Sequence, residues 1–332
     1  MTHVNAIGIL GIGSSLPPKT LTNHDLEKIV ETSDEWILQR TGISERHILE
    51  EGAPALDLAV AASEKAIGRA GITASDIDLI IAATITPDYF TPSMACQVQA
   101  KLGVAGAPAF DINAACSGFL YALDMARQYV ATGSARHVLV VAVESLSRVT
   151  DWQDRKTCVL FGDGAGAAVV GPVAEGEGIR SSMIRADGSQ GACLTLPAFH
   201  MTDADREVRT SDRNQVIWMD GSEVFAFATR TMAEAVRQVA ESAEIAVEDL
   251  DWIFPHQANL RILQNAQKRL KVPMERIYTN LKSTGNMSSA SIPVCLDEAV
   301  EKGLLKKGDK LALVAFGGGL TWAAQTLVWS MG

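Results

Sequence analysis

The sequence predicts an α/β protein in which two repeated halves stack as a five-layer α/β/α/β/α sandwich. Two observations support this prediction: apolar strand-like runs alternate with amphipathic helical stretches, and sequence segments recur at one fixed spacing. Strands that alternate with helices form mostly parallel sheets covered on both faces, so each half would supply one such sheet. The helices between the two sheets would be shared by both halves.

The internal repeat has a spacing of 173 residues. The matching pairs are 70–80 with 243–253, 139–143 with 312–316, and 113–116 with 286–289. Each match is weak alone, but three separated matches at one spacing predict two copies of one α/β unit. We place the halves at residues 1–173 and 174–332, because the connecting segment 171–178 is rich in Gly, Pro and Glu.

The individual elements follow from hydrophobic periodicity. In the first half, apolar runs predict strands at 7–12, 78–83, 109–113, 137–143 and 165–170, with helices at 55–70 and 93–102. In the second half, the same patterns predict strands at 179–185, 252–254, 310–316 and 323–329, with helices at 223–242, 259–270 and 292–302. The stretch 117–132 has little polar face, which predicts a helix buried in the middle layer.

Composition excludes several classes of protein. With 47% hydrophobic and 20% charged residues, the chain of 332 residues can bury a large core. A net charge of −10 argues against a nucleic-acid-binding protein, which would present a basic surface. The longest apolar runs are strand-length, well short of the ~20 residues of a membrane span, so we expect no membrane association.

The cysteines and histidines argue against a metal site and against a disulfide framework. The five cysteines are widely spaced without a C-x-x-C pair, and no two of the six histidines stand four residues apart. Residues 1–13 lack the charged region and cleavage site of a signal peptide. These features together predict a protein of the reducing cytoplasm.

Cys116 is the candidate nucleophile. It follows a predicted strand and precedes the buried helix, where the helix dipole and unpaired N–H groups lower the pKa of a thiol. Position alone is equally compatible with a cysteine that packs as a small apolar side chain. That second interpretation is the better one for the other four cysteines, which lie in apolar runs or lack a helix start.

Two polar residues of the second half are candidate partners of Cys116. His256 follows the strand predicted at 252–254, and Asn286 holds the position that corresponds to Asn113 in the repeat. A pseudo-twofold relation between the halves would bring these side chains to one site, and Cys/His/Asn sets serve acyl transfer. Taken singly, His256 is more typical of an imidazole bonded in the core, and Asn286 of a turn or helix cap.

Glycines 317–319 follow another predicted strand. A bare glycine run is most often a tight turn, although its N–H groups could also bind an oxyanion.

Seven motifs give the chain a specific resemblance to a known family. They are TSDEWI (32–37), RTGISERH (40–47), NAACSGF (113–119), FGDGAGA (161–167), PHQAN (255–259), GN (285–286) and FGGG (316–319). In this order, over nearly the whole chain, they resemble β-ketoacyl-acyl-carrier-protein synthase III, the initiating condensing enzyme of bacterial fatty acid synthesis. Members of that family have the thiolase fold, which agrees with the two-half architecture.

The resemblance implies a decarboxylative Claisen condensation. Cys116 would take the acyl group of an acyl-CoA primer, with acetyl-CoA as the expected primer, and the N–H groups of Cys116 and Gly318 would form the oxyanion hole. His256 and Asn286 would donate hydrogen bonds to the thioester oxygen of malonyl-acyl-carrier protein and stabilise the enolate formed as CO₂ leaves. The product would be a β-ketoacyl-acyl-carrier protein, formed without a metal or other cofactor, since acyl-CoA is a substrate.

The resemblance also assigns residues to binding. The CoA site would comprise Trp36, Arg40, Thr41, Arg155 and Asn259, with the adenine held between Trp36 and Arg155. The primer pocket would be lined by Phe90, Leu146, Phe161, Met219, Phe225 and Phe316, with Phe90 reaching into the partner's pocket in a homodimer. The acidic carrier protein would dock on Arg261, Lys268 and Arg269. The lysine that family members often carry after a Glu-Val-Phe segment is Ala226 in this chain.

Two alternatives stay open. One is a paralogue with another primer or acceptor, such as a polyketide or alkylquinolone starter enzyme or an acyltransferase, and the other is an inactive acyl-CoA-binding protein. The complete set of Cys116, His256 and Asn286 favours condensation, because simple acyl transfer needs no enolate stabilisation. Primer length is left undetermined, since one methylene changes discrimination by only about 1–3 kcal/mol.

Overall fold

The computed structural model describes residues 6–207 and 215–332. The strands are β1 Ile7–Ser15, β2 Thr20–Thr22, β3 Glu45–His47, β4 Leu79–Ala83, β5 Ala109–Ile112, β6 Val138–Ser145, β7 Asp163–Pro172, β8 Gly178–Ala186, β9 Leu194–Thr195, β10 Trp218–Met219, β11 Trp252–Pro255, β12 Lys310–Gly317 and β13 Thr321–Val328. The helices are α1 Asn23–Leu26, α2 Asp34–Thr41, α3 Ala55–Arg69, α4 Met94–Leu102, α5 Gly118–Ala131, α6 Asp203–Glu207, α7 Gly221–Ser242, α8 Leu260–Leu270, α9 Leu281–Thr284 and α10 Ser291–Glu301.

Two sheets and three helical layers form the frame of the molecule. The first sheet has the strand order β1-β7-β6-β4-β5 and the second the order β11-β12-β13-β8. Helices α5 and α10 share one apolar core with the facing sides of both sheets. Helices α3 and α4 cover the outer face of the first sheet, and α7 and α8 cover that of the second. The predicted five-layer α/β/α/β/α sandwich is therefore confirmed.

The prediction of mostly parallel sheets is wrong. Strand β4 runs parallel to β5 and β6, and β11 runs parallel to β12. However, β7 is antiparallel to both β1 and β6, and β13 is antiparallel to both β12 and β8. The reason is connection length, since only residues 318–320 join β12 to β13, and a parallel pair needs a crossover of a dozen or more residues.

The 173-residue spacing is also present in the backbone. The short 3₁₀ turns Ala115–Ser117 and Ser288–Ala290, which precede α5 and α10, are separated by this spacing. Their first residues, Ala115 and Ser288, have positive φ angles of 46° and 47°, an uncommon conformation for residues other than glycine. The strands of the first sheet all precede residue 173 and those of the second follow it. The division into units 1–173 and 174–332 stays a prediction.

The central helix is shorter than predicted by one residue at each end. It spans Gly118–Ala131, and its buried residues include Phe119, Leu120 and Leu123. Eight elements were not predicted from the sequence, because short elements carry little periodicity: α1, α2, α6, α9, β2, β3, β9 and β10. Within the described ranges, no helix combines the length and the apolar character that crossing a bilayer requires.

Candidate active site

A cavity of about 820 Å³ opens where β4, β5, β11 and β12 end. Its wall contains Cys116, His256 and Asn286, so the structure brings the three predicted catalytic side chains together. All six residues predicted for the primer pocket also line it: Phe90, Leu146, Phe161, Met219, Phe225 and Phe316. In the part of the chain that the structure describes, no three His, Cys, Asp or Glu side chains are grouped as metal ligands.

Cys116 lies in the 3₁₀ turn Ala115–Ser117, between β5 and α5. The turn is pressed against the end of β12, where a Cβ added to Gly317 would stand 2.6 Å from the Cys116 backbone nitrogen. The residue is half-buried and borders the cavity. Cys116 therefore sits where the sequence predicts a nucleophile, with its backbone N–H beside the glycine run.

The pKa of the Cys116 thiol differs from the expectation. Burial raises it from 9.0 to about 12, the nearby Glu144 carboxylate raises it further, and the Ser288 hydroxyl opposes both effects. The predicted lowering by the helix dipole is wrong, because desolvation of a thiolate in this enclosed turn outweighs it. The resting nucleophile is therefore a thiol.

His256 follows β11 and is almost fully buried. Its backbone N–H donates to Val314 O at 2.8 Å, and its ring meets the Phe316 ring edge-on, with centroids 5.4 Å apart. Burial lowers the pKa of the imidazole from 6.5 to about 3, so the ring is neutral at pH 7. Among the described residues its Nδ1 atom has no hydrogen-bond partner. A neutral imidazole still carries one N–H group, so His256 can donate a hydrogen bond to a substrate oxygen.

Asn286 is held by three hydrogen bonds that leave its amide donor unused. Its backbone N–H donates to Leu160 O at 2.9 Å, and its carbonyl accepts from Gly162 N at 2.9 Å. Its Oδ1 accepts from Ser288 N at 2.8 Å. No residue in the described part of the chain accepts a hydrogen bond from its Nδ2, and the residue borders the cavity. The Oδ1 contact thus sets the direction in which Nδ2 donates.

Gly317, Gly318 and Gly319 all line the cavity. Glycine is required at position 317, because a Cβ there would also stand 3.0 Å from Cys116 Cβ. Gly318 follows directly, which is compatible with its predicted place in the oxyanion hole.

Gly317→Ala is expected to impair acylation of Cys116 by at least ~10²-fold. The added methyl group displaces the turn that holds the thiol and its N–H, and small displacements of reacting groups are costly. The measurement is the rate of acyl-enzyme formation, with Gly68→Ala as the control because a Cβ at that position meets open space. Equal rates for the two variants would contradict the steric argument.

The predicted CoA residues gather beside α2. The Arg155 guanidinium lies over the Trp36 ring at 4.9 Å from its centroid, and that of Arg40 lies at 5.8 Å. Asn259 caps α8 through Arg261 N and donates from Nδ2 to Arg40 O at 3.0 Å. Thr41 is buried, and its hydroxyl already donates to Ile37 O within α2. Thr41 therefore shapes the end of the helix and has no donor left for CoA.

The residues predicted to dock the carrier protein lie on the outer face of α8. Arg261, Lys268 and Arg269 are exposed, and none forms an ion pair with a described carboxylate. Arg237 of α7 donates to Arg269 O and so joins this surface. The structure thus places a basic surface on the helix that follows His256.

Comparisons with known proteins assign the chain to a family. The family profile described as 3-oxoacyl-[acyl-carrier-protein (ACP)] synthase III matches residues 110–188, and that of its C-terminal part matches residues 240–329. The β-ketoacyl-[acyl-carrier-protein] synthase III of Caldanaerobacter subterraneus subsp. tengcongensis is 51% identical over 325 residues, which is 98% of each chain. The chain belongs to the β-ketoacyl-[acyl-carrier-protein] synthase III family.

Solved structures support the same assignment and establish the thiolase fold. The family member from Thermus thermophilus is 45% identical with a TM-score of 0.92, covering 98% of this chain and 100% of its own. The priming β-ketosynthase of the R1128 polyketide pathway is 36% identical with a TM-score of 0.92, covering 100% and 99%. The fold is thus common to synthase III enzymes and to a polyketide priming enzyme.

Two polar residues near Cys116 were not predicted from the sequence. Ser288 borders the cavity, and Glu144 lies fully buried on β6. The repeat contains a usable signal, since a spacing of 173 residues maps Cys116 onto Ser289 and Glu144 onto Gly317.

Proposed function

We propose that this synthase III family member condenses an acyl-CoA primer with malonyl-acyl-carrier protein and so starts fatty acid synthesis. The observation that supports this most strongly is the meeting of Cys116, neutral His256 and the free Asn286 donor in one cavity. A nucleophile alone would suffice for acyl transfer. Two neutral donors beside it suit a reaction that must also stabilise an enolate.

The first half of the proposed reaction is acylation of Cys116. Its sulfur forms a bond to the thioester carbon of acyl-CoA, the bond from that carbon to the CoA sulfur breaks, and the thiol proton ends on CoA. The N–H groups of Cys116 and Gly318 stabilise the negative oxygen of the tetrahedral intermediate. Because the nucleophile begins and ends this step uncharged, the buried cavity never holds a permanent thiolate.

The second half is decarboxylation followed by carbon–carbon bond formation. His256 and Asn286 donate to the thioester oxygen of the malonyl group, which stabilises the enolate as CO₂ leaves. The carbanion then attacks the acyl carbon on Cys116, the bond from that carbon to the cysteine sulfur breaks, and the departing thiolate takes a proton from solvent to restore the thiol. These residues perform each step, so we propose that the enzyme needs neither a metal nor another cofactor.

CoA is proposed to bind where Trp36, Arg40 and Arg155 cluster beside the mouth of the cavity. An adenine inserted between the Trp36 ring and the Arg155 guanidinium would contact both groups, in place of the contact that they make with each other. Asn259 both borders the cavity and holds Arg40 O, which links this surface to the reaction site.

Trp36→Ala and Arg155→Ala are each expected to raise KM for acyl-CoA by about 3- to 30-fold, the loss of one stacking or cation–π contact. The value of kcat should change little, since neither side chain lines the cavity. Arg180→Ala removes an exposed arginine from β8 and serves as the control. A fall in kcat at unchanged KM would refute this placement of CoA.

The partners are proposed on the basis of surface chemistry. The basic surface of Arg237, Arg261, Lys268 and Arg269 suits the acidic carrier protein. A homodimer would cover the exposed aromatic side chains beside the cavity, where Tyr89, Phe90 and Phe199 are 60%, 69% and 86% exposed. Cytoplasmic location stays a prediction from sequence.

The proposal is tested by intact-protein mass after incubation with a panel of acyl-CoAs. An acetyl or short branched acyl adduct supports a fatty acid primer enzyme. Adducts with only long or aromatic groups favour a polyketide-type starter enzyme, which similarity to the R1128 priming enzyme makes the second candidate. A mass that stays unchanged with every acyl-CoA and every acyl-carrier protein would overturn both.

A further inference from the structure

Glu144 is a buried carboxylate that the proposed mechanism does not use. It lies near the end of β6, on the strand face whose residues pack into the middle layer, and it is fully buried. Among the described residues no cation forms an ion pair with it. A carboxylate that is buried without a cation requires hydrogen-bond donors, so the donors to Glu144 show which segments it joins.

Four donors converge on this carboxylate from two segments of the cavity wall. On one side, Oε2 accepts from Thr86 Oγ1 at 2.7 Å, from Ile85 N at 3.1 Å and from Thr84 Oγ1 at 3.4 Å. On the other side, Oε1 accepts from Ser289 Oγ at 2.9 Å. Ile85 and Thr86 line the cavity, and Ser289 belongs to the 3₁₀ turn Ser288–Ala290. Burial raises the pKa of the Glu144 carboxyl, and the hydrogen bonds from Thr86, Ile85 and Ser289 oppose that rise.

The turn that Glu144 holds also orients the Asn286 amide. Ser289 is covalently next to Ser288, whose N–H donates to Asn286 Oδ1 at 2.8 Å. Ser288 has a positive φ of 47°, a conformation that persists only where the surroundings enforce it. The bond from Ser289 to Glu144 is one such restraint.

The repeat shows that the Glu144 contact is the counterpart of the nucleophile's own contact. The spacing of 173 residues maps Ser289 onto Cys116 and Glu144 onto Gly317. Gly317 packs against Cys116 without a side chain, whereas Glu144, at the equivalent position, accepts a hydrogen bond from the Ser289 hydroxyl. In one of the two equivalent turns Cys116 thus borders the cavity, and in the other Ser289 is buried and bonded to Glu144.

We propose that Glu144 is a positioning residue for decarboxylation, whose carboxylate anchors the turn behind Asn286 to the Ile85–Thr86 wall and so fixes the direction of the Asn286 donor. The inference rests on the proposed function, because it assigns the anchored donor to enolate stabilisation. Glu144 touches no substrate and acts through Ser289 and Asn286.

The charge of Glu144 can be tested by a rate that would not change if Glu144 only stabilised the fold. The carboxylate raises the pKa of the Cys116 thiol, whereas its loss would leave burial and Ser288 acting alone. In the pH range where Glu144 is ionised, a neutral residue at this position therefore increases the thiolate fraction and accelerates alkylation of Cys116. Decarboxylation and alkylation should consequently change in opposite directions.

The test compares Glu144→Gln, Ser289→Ala and the wild type by three rates: acylation by acetyl-CoA, CO₂ release from malonyl-acyl-carrier protein, and alkylation by iodoacetamide. Glu144→Gln should release CO₂ about 10- to 100-fold more slowly and be alkylated several-fold faster. Ser289→Ala breaks one link but keeps the charge, so CO₂ release should fall by about 10-fold at an unchanged alkylation rate. Neither variant should change the acylation rate by more than about 3-fold.

Asp163→Asn is the matched control, because Asp163 is a second buried carboxylate near the end of the same sheet. It accepts from Leu49 N and from both Ser147 donors, and it does not line the cavity. Asp163→Asn should lower the free energy of unfolding, and the ratios between the rates of acylation, CO₂ release and alkylation should stay as in the wild type. Wild-type CO₂ release in folded Ser289→Ala or Glu144→Gln, or an equal fall of all rates, would overturn the role of Glu144 alone. A wild type that neither acylates nor decarboxylates would overturn the proposed function and this inference together.

Discussion

Cys116→Ser is expected to reduce acyl-enzyme formation by at least about 10³-fold. Burial already raises the pKa of the thiol to about 12, so attack depends on the intrinsic nucleophilicity of sulfur. A serine hydroxyl has a still higher pKa and lacks that compensation. Intact-protein mass after exposure to the preferred acyl-CoA measures the effect directly.

Two cysteines serve as controls for this experiment. Cys193 and Cys96 are half-buried like Cys116, so their accessibility to a reagent is comparable. Cys193→Ser and Cys96→Ser should each acquire the wild-type adduct. An adduct that persists on Cys116→Ser and disappears on either control would assign the nucleophile elsewhere.

His256→Ala and Asn286→Ala are each expected to retain acylation and to lose malonyl decarboxylation by about 10²- to 10³-fold. Each removes one neutral donor from a water-poor site, where such donors contribute most to oxyanion stabilisation. Acylation is proposed to use other donors, the backbone N–H groups of Cys116 and Gly318. The two rates are measured separately as adduct formation and CO₂ release.

His137→Ala provides the control for loss of an imidazole, because His137 precedes β6, its ring contacts Asp76 O through Nδ1 at 3.0 Å, and it does not line the cavity. It should leave both rates unchanged. Full decarboxylation by His256→Ala would refute enolate stabilisation by this histidine. An equal loss of acylation would instead indicate that His256 takes part in the first half of the reaction.

Local patterns predicted most of what positions the site. The polar residues Cys116, His256 and Asn286 stand at strand ends or in the turns before helices, and these features are visible as short-range changes in periodicity. The repeat then predicted that the two halves bring them together. The CoA cluster of Trp36, Arg40 and Arg155 was predicted by resemblance, and its spatial grouping agrees with that assignment.

Other features depend on contacts between distant residues, which no local pattern records. Thr41 follows Arg40 in a motif, but only packing shows that it is buried with its donor used. Strand direction depends on the length and path of connections, so a pattern of alternating elements overestimated the parallel pairs. Glu144 appeared as one polar residue near a strand end, and its proposed role depends on donors from two separate segments.

The sequence by itself predicted the five-layer α/β sandwich, the candidate residues Cys116, His256 and Asn286, and the family, because repeats, periodicity and motifs are properties of chain order. The tertiary structure alone decided the protonation states of the site. Desolvation raises the pKa of Cys116 and lowers that of His256, and it depends on everything packed around each group. The effect of a helix dipole on Cys116 can be predicted from the residues of its own turn, whereas the burial of Cys116 and His256 depends on residues from both halves of the molecule.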